Sequence, residues 1–334
     1  MAETIAVLGA GSWGTALAIH LARVGHDVRL WARDPELVGE MSARRANPRY
    51  LPDAGLPDRV TPVARPQAAL QEAGVVVFAV PSHGLRAVAR AVASSLPPAA
   101  VLVSATKGLE TDSLQRMSLV IGEEANAGQP VVVLSGPSFA AEVARGLPTA
   151  LLSASLDAAA AEFVQDRFRG PALRLYVSDD VPGVEIGGAM KNVIAIASGV
   201  VEGLGLGHNA MAALITRGLV EISRLADAEG GRRETVAGLS GLGDLVLTST
   251  GDLSRNRHVG LELGRGRPLQ EILAGMRMIA EGVRTTGAAV ALGARHGIEL
   301  PITAEMAAVL AGDRSPAEAV DVLMGRKQRA EADR

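Results

Sequence analysis

Short apolar runs alternate with helical patterns from residue 4 to about residue 177, and this alternation dictates the architecture of that part of the chain. Strands are expected at 4–8 (T-I-A-V-L), 28–32, 75–80 (V-V-V-F-A-V), 101–104, 131–134, 150–153 and 173–177, with helices at 13–24, 35–44, 83–94, 139–145 and 157–168. Runs that are apolar throughout, rather than at every second residue, suit strands buried on both faces. Parallel neighbours need a crossover connection, so alternating strands and helices imply βαβ units, a mostly parallel sheet and helices on both faces. The pattern changes at Asp179-Asp180-Val181-Pro182. Beyond it the sequence suggests helices at 184–203, 209–228, 268–275, 281–296, 302–311 and 315–323, and no convincing strand. The expected fold is α/β plus all-α: a Rossmann-like, doubly wound parallel sheet over 1–180, then a helical substrate and catalytic domain over 181–334.

Composition narrows the chemistry. The 334 residues contain no cysteine, which removes disulfides, thiol nucleophiles and thiolate-held metals together. The six histidines show no metal-ligand spacing, and no metal site is expected. A net charge of −3 gives no general attraction to nucleic acid or anionic lipid. Residues 4–22 carry no charge, but three glycines and Ser12 interrupt them and Met1-Ala2-Glu3 lacks a basic start, so a buried strand and helix explain the stretch better than a membrane span. A cytoplasmic protein without membrane insertion is expected. The apolar character of 210–222 is compatible with a homodimer.

Gly9-Ala10-Gly11-Ser12-Trp13-Gly14 fits G-x-G-x-x-G directly after a strand and at the start of a helix. In that context Gly9 permits the tight turn, Gly11 lets a pyrophosphate approach the backbone, and Gly14 lets helix and strand pack closely. The helix start supplies free N–H groups for the phosphates. The second strand ends in Arg33-Asp34. An arginine there favours the 2′-phosphate of NADP, and an acid 20 residues after Gly14 favours the ribose hydroxyls of NAD. Arg33 comes first, so NADP (NADPH) is favoured, with NAD open.

Of the 33 basic residues only Lys107, Lys191 and Lys327 are lysine. Lys107 follows a strand end, where open α/β sheets bind ligands. Lys191 sits in an otherwise apolar helix, a costly place for a cation unless it is paired or functional. A chain that uses arginine almost everywhere keeps lysine where a neutral amine is needed, because arginine stays protonated. Lys327 lies in a polar R-K-Q-R tail and is read as solvated. Gly136 and Ser138 of S-G-P-S follow another strand and suit a substrate oxygen. Asp244 suits the orientation of an ammonium, and Arg255 with Asn256 suits a phosphate.

These blocks resemble bacterial NAD(P)-dependent glycerol-3-phosphate dehydrogenases over nearly the whole chain. The likeness rests on G-A-G-S-W-G-T-A-L-A (9–18), L-W-A-R-D (30–34), N-P-R-Y-L-P (47–52), A-T-K-G-L-E (105–110), L-S-G-P-S-F-A-A-E-V (134–143), G-x-x-K-N-V (188–193), G-L-G-D-L-V-L-T (241–248), S-R-N (254–256) and A-E-G-V (280–283). The resemblance implies reversible reduction of dihydroxyacetone phosphate to sn-glycerol 3-phosphate, which supplies phospholipid synthesis. It implies Lys191 as proton acceptor in alcohol oxidation, with Lys107 and Asp244 in the catalytic centre. Gly136, Ser138, Asn192, Asp244, Thr248, Ser254, Arg255 and Asn256, with the two lysines, are the implied substrate positions. Ser12, Trp13, Arg33, Tyr50, Lys107, Ala140, Arg255 and Glu281 are the implied cofactor positions beside the three glycines. A 3-hydroxyacid dehydrogenase would place lysine and asparagine four residues apart, whereas Lys191 and Asn192 are adjacent. A nucleotide sensor on the same fold would have no use for both lysines, and a methyltransferase would leave the helical half unexplained. With Lys107 and Lys191 on opposite sides of residue 180, the site is expected between domains that close around substrate.

Overall fold

The computed structural model describes residues 2–276, 278–328, 330 and 331; Met1 and Arg329, which enter the N-terminal and tail readings, lie outside the described residues, as do Arg277 and 332–334. Ten strands run in chain order as β1 (Thr4–Leu8), β2 (Asp27–Trp31), β3 (Ala46–Asn47), β4 (Leu51–Gly55), β5 (Val60–Val63), β6 (Val75–Phe78), β7 (Val101–Ser104), β8 (Val131–Ser135), β9 (Thr149–Ala154) and β10 (Leu173–Ser178). Eight form one sheet in the order β10-β9-β8-β7-β6-β1-β2-β5, while β3 and β4 form a small antiparallel ladder. Alternate residues of the central strands feed two cores. Ile5, Val7, Val75 and Val77 enter one, and Ala6, Leu8, Val76 and Phe78 the other. The period of two therefore places an apolar layer on each face, as a doubly wound sheet requires.

Besides the β3–β4 ladder, two features depart from the expected βαβ series. β9 pairs antiparallel with β8 although a helix, Ala140–Arg145, lies between them. That helix has 6 residues, roughly 9 Å of length, and cannot return the chain along a strand of about 16 Å. The chain therefore re-enters the sheet from the same end, and the whole 136–148 connection stays at the carboxyl edge. The second departure is β5, whose Val-Thr-Pro-Val run is paired on one side only, by β2. Pro62 has no N–H to donate, which an edge strand tolerates and a central one does not.

From Val181 onward the described residues are helical or looped. Asp180 caps the 23-residue helix Val181–Gly203, its side chain accepting from Gly183 N at 2.9 Å, with Pro182 in the first turn. Length and composition would let this helix cross a membrane, but it is buried inside the protein. Its polar positions are thus desolvated, which bears directly on Lys191.

Among the helices that the sequence pattern does not anticipate are Asp244–Thr250 and Arg255–Gly264. The second carries Gly260 and Gly264, each of which lowers helix propensity by about 1 kcal/mol relative to alanine. Its packing explains them. A β-carbon on Gly260 would strike the Ile196 carbonyl, one on Gly264 would lie 2.8 Å from Val200 O, and Gly199 and Gly203 face the Arg255–Gly264 backbone in the same way. Glycines spaced four apart on both helices let the backbones touch, and the sequence pattern reads that contact as a broken helix.

Candidate active site

The turns that follow β1, β2, β6, β7 and β8 all lie at the carboxyl edge of the sheet, where open α/β sheets bind ligands. The helix Ser12–Arg23 starts after β1 with Gly11 as its N-cap and no side chain capping it. Gly9 has φ +119°, and a β-carbon there would come within 2.6 Å of Ala79 O. Gly14 abuts the Gly9 carbonyl, while a β-carbon on Gly11 would meet nothing within 4 Å. The three glycines thus divide their work as the motif demands. Ser12 Oγ donates to Tyr50 O at 2.8 Å and lies 3.0 Å from Met278 Sδ. Trp13 and Tyr50 are partly buried against the first core, as is Ala140, and the Trp13 indole N–H is buried without a hydrogen-bond partner.

The Arg33–Asp34 ambiguity takes a definite physical form. Asp34 caps helix Pro35–Arg44, accepting from Glu36 N at 2.9 Å, and also pairs with Arg49 at 2.5 Å. Both contacts hold its carboxyl below the usual range, the Glu36 N–H most strongly. Arg33 is exposed.

The second centre is built from buried charge. Asp244 follows a π-helical turn, Leu239–Gly243, an uncommon geometry that recurs at functional sites. Its carboxylate joins both lysines: Lys107 Nζ donates to Oδ2 at 2.5 Å and Lys191 Nζ to Oδ1 at 2.9 Å. Lys191 also donates to Thr248 Oγ1 at 2.7 Å, and Lys107 to Gly136 O at 2.8 Å. Ser138 Oγ turns to the same Gly136 carbonyl at 3.0 Å. Gly187 and Gly188 make this convergence possible. A β-carbon on Gly187 would lie 2.8 Å from Ser240 O, and one on Gly188 would lie 2.8 Å from Ser135 Oγ.

Burial lowers the Lys191 pKa, Asp244 raises it, and Lys107 and Arg255 lower it again, to a net value of about 8. Burial pushes the Asp244 carboxyl up, but the two ammoniums outweigh it and hold the group below its ordinary range. Lys191 is therefore a cation that can become an amine near neutral pH, beside a carboxylate that stays charged.

The S-R-N run forms a helix start rather than a plain loop. Ser254 caps Arg255–Gly264, accepting from Arg257 N at 3.2 Å, and Arg255 is exposed at the first position. Asn256 is already engaged: its Nδ2 donates to Asn192 Oδ1 at 2.8 Å and its Oδ1 accepts from Gly282 N at 2.9 Å. Next to Gly282, Glu281 accepts from Ser82 N at 3.1 Å and Ser82 Oγ at 2.6 Å, tying the helical half to the turn after β6.

Sequence reasoning missed Asn47. This fully buried side chain donates to Ala10 O and Thr15 Oγ1, both at 2.8 Å, and so holds the glycine turn from 37 residues away. Its only signal was the Asn-Pro pair opening N-P-R-Y-L-P. Ser82 and Arg116 carried no signal at all.

Two family models match the chain, the NAD-dependent glycerol-3-phosphate dehydrogenase N-terminus over residues 4–161 and its C-terminus over 180–321. The chain belongs to the NAD-dependent glycerol-3-phosphate dehydrogenase family. It is 54% identical over 327 residues to glycerol-3-phosphate dehydrogenase [NAD(P)+] of Thioalkalivibrio sulfidiphilus, covering 98% of each chain. With the Moorella thermoacetica protein of the same name the identity is 49% over 333 residues, covering 100% of this chain and 99% of that one. The crystal structure of glycerol-3-phosphate dehydrogenase from Coxiella burnetii superposes with a TM-score of 0.93 at 42% identity, covering 97% of this chain and 99% of that one. The Rossmann-like sheet with a helical second half is thus the fold of the family.

Proposed function

We propose that the chain interconverts dihydroxyacetone phosphate and sn-glycerol 3-phosphate with Lys191 as the proton donor and acceptor. The observation that carries this reading is the buried Lys191 ammonium, held by Asp244 and Thr248 with a pKa of about 8. The dinucleotide fits the chain at its own polar groups: the uncapped start of Ser12–Arg23, the open backbone at Gly11 and the unpartnered Trp13 N–H. Arg33, Tyr50, Ala140, Arg255 and Glu281 complete its surroundings, and the exposed Arg33 favours NADPH over NADH. The nicotinamide supplies the hydride, or takes it back in the reverse direction.

As the ketone carbon is reduced, negative charge develops on its oxygen, and a positioned cation lowers the barrier. Lys191 Nζ donates its proton there, and as a neutral amine it removes the hydroxyl proton in oxidation. Asp244 keeps Lys191 oriented and balances the second cation, Lys107, which is held on the same carboxylate. The substrate phosphate takes Arg255, the start of helix Arg255–Gly264 and the remaining polar hydrogens of Asn192, Ser254 and Asn256, with Gly136 and Ser138 on the opposite wall. The residues come from both sides of residue 180, so the glycine-turn domain and the helical domain share one centre. The amino-terminal half of helix Gly207–Ala228, which buries no residue before Gly218, is the face offered to a second copy in a homodimer.

The test is loss of NADPH absorbance with dihydroxyacetone phosphate for wild type and Lys191→Met. Removal of the proton donor is expected to lower kcat by on the order of 10²- to 10⁴-fold while NADPH binding persists. Retained turnover would overturn the assignment of Lys191, and turnover absent from the wild type would overturn the substrate.

A further inference from the structure

Lys107 and Lys191 lie on different parts of the chain, and their meeting at Asp244 needs something to fix one relative to the other. Two residues after Lys107, Leu109 enters the core of the helical half, where it packs in one cluster with Ile186, Met190 and Val193 of the helix that carries Lys191. Leu109 also forms an antiparallel bridge with Arg116, and Glu110 N donates to Gln115 O at 2.9 Å. Residues 109–116 therefore form a small hairpin rooted beside Lys107.

The far strand of that hairpin is clamped by charge. Arg116 Nη1 donates to Glu185 Oε2 at 2.8 Å, and Ser118 donates to the same carboxylate from its backbone N at 2.8 Å and its hydroxyl at 2.5 Å. Arg116 is 9% exposed and Glu185 5%. Burial pushes the Glu185 carboxyl up, and Arg116 and Ser118 pull against it. Glu185 lies six residues before Lys191 on the same helix, roughly 9 Å along its axis. Arg295 Nη2 also reaches Ser113 O at 3.3 Å, from the end of another helix of the same half. On its other side the hairpin is braced by Arg86, whose Nε and Nη2 donate to the Glu110 carboxylate, both at 2.8 Å.

We propose that the Arg116–Glu185 pair is a positioning device for the reaction: it locks the hairpin that follows Lys107 to the helix that carries Lys191, and so sets both amines on Asp244. A buried ion pair is weak evidence for stability in itself, because desolvation offsets most of its attraction. Its value here is geometric. It joins two segments whose separation decides whether one carboxylate can hold two lysines. The inference rests on the reading of Lys191 as proton donor and acceptor.

The test compares Glu185→Gln, Ser118→Ala, Arg116→Lys and Arg116→Met with wild type, at temperatures well below each melting point. Because ångström-scale misplacement of reacting groups lowers rates by up to about a hundredfold, Glu185→Gln is expected to lower kcat by about tenfold to a hundredfold. The NADPH dissociation constant is expected to hold, and the midpoint of the pH–rate profile to move. Ser118→Ala keeps the ion pair and is expected to give a smaller loss in the same direction, and Arg116→Lys to recover part of what Arg116→Met loses. A purely structural pair would lower the melting temperature and leave kcat per folded molecule and the pH midpoint where they are. That result in Glu185→Gln overturns the inference. If Glu185→Gln fails to fold, wild-type kcat and pH midpoint in Arg116→Met, which removes the same ion pair from its other side, overturn it instead. Lys191→Met run alongside separates the two claims, since its retained activity removes the reading of Lys191 whatever the hairpin variants do.

Discussion

The glycine turn and the Asp244 centre lie along the same sheet edge, yet they are made from opposite materials. The turn is local backbone, three glycines within six residues opening one helix, with Asn47 as its main distant support. The Asp244 centre is buried side-chain charge gathered from segments 53 and 137 residues from Asp244, and no single stretch of sequence contains it. The difference is one of physical demand. A pyrophosphate needs N–H groups and room, which a helix start supplies unaided. A proton-transferring amine needs desolvation and a counter-charge, which only packing can supply.

If the two regions are separate in this sense, a change in one should leave the other's function intact. Asp244→Asn is expected to have the largest effect. It removes the anion shared by two ammoniums, drives the Lys191 pKa below about 8 because Asp244 is what raises it, and should lower kcat for ketone reduction by on the order of 10²-fold or more. NADPH affinity, read by quenching of tryptophan fluorescence, should hold; a comparable loss of affinity would break the comparison. Glycines give the next test. Gly260→Ala should destabilise the fold by about 1–3 kcal/mol through overpacking, since its methyl meets the Ile196 backbone. Gly287→Ala, in helix Glu281–Arg295 with nothing within 4 Å, should stabilise by up to about 1 kcal/mol. Thermal melts that move the same way for both would refute the contact argument. The pH dependence should be smaller and confined to the Asp244 centre. With Lys191 as the proposed proton donor, kcat for reduction should be flat below about 8 and fall about tenfold per pH unit above. With the amine as base, oxidation should instead rise about tenfold per pH unit below about 8 and level off above it. An apparent pKa near the ordinary lysine value in both directions would mean that burial does not tune this amine.

The same contrast explains what was legible in the sequence. The central strands and the glycine turn were, because two-face burial and a tight turn each leave an unbroken local pattern. Lys107 and Lys191 stood out against the arginine-rich background, but the carboxylate joining them is a long-range fact and was readable only as a residue suited to an ammonium. Where packing overrides propensity the pattern misleads: Gly260 and Gly264 break the helical periodicity, yet they are what lets this helix pack its backbone against Val181–Gly203. Arg116 and Asn47 each look like ordinary loop residues until the fold places Glu185 beside one and the Ala10 carbonyl beside the other.

Coenzyme choice is the finest expected effect, and it tests whether the turn region works as independently as its local construction suggests. Two residues compete at the end of β2. Asp34 accepts from Glu36 N and pairs with Arg49, and those contacts stabilise its charge where it stands. Turning it toward ribose hydroxyls would uncap helix Pro35–Arg44, at a cost of about 1 kcal/mol. Arg33 has no such commitment to a helix cap, is exposed, and suits a phosphate by its forked donors. Arg33→Gln should therefore lower the NADPH-to-NADH ratio of kcat/KM by about tenfold, the worth of one charge-assisted hydrogen bond of roughly 1.4 kcal/mol. Asp34→Asn should leave that ratio nearly unchanged while lowering the melting temperature. A ratio that ignores Arg33 and follows Asp34 would mean that the cap opens when the dinucleotide arrives, and the turn would then be as dependent on rearrangement as the charged centre is on packing.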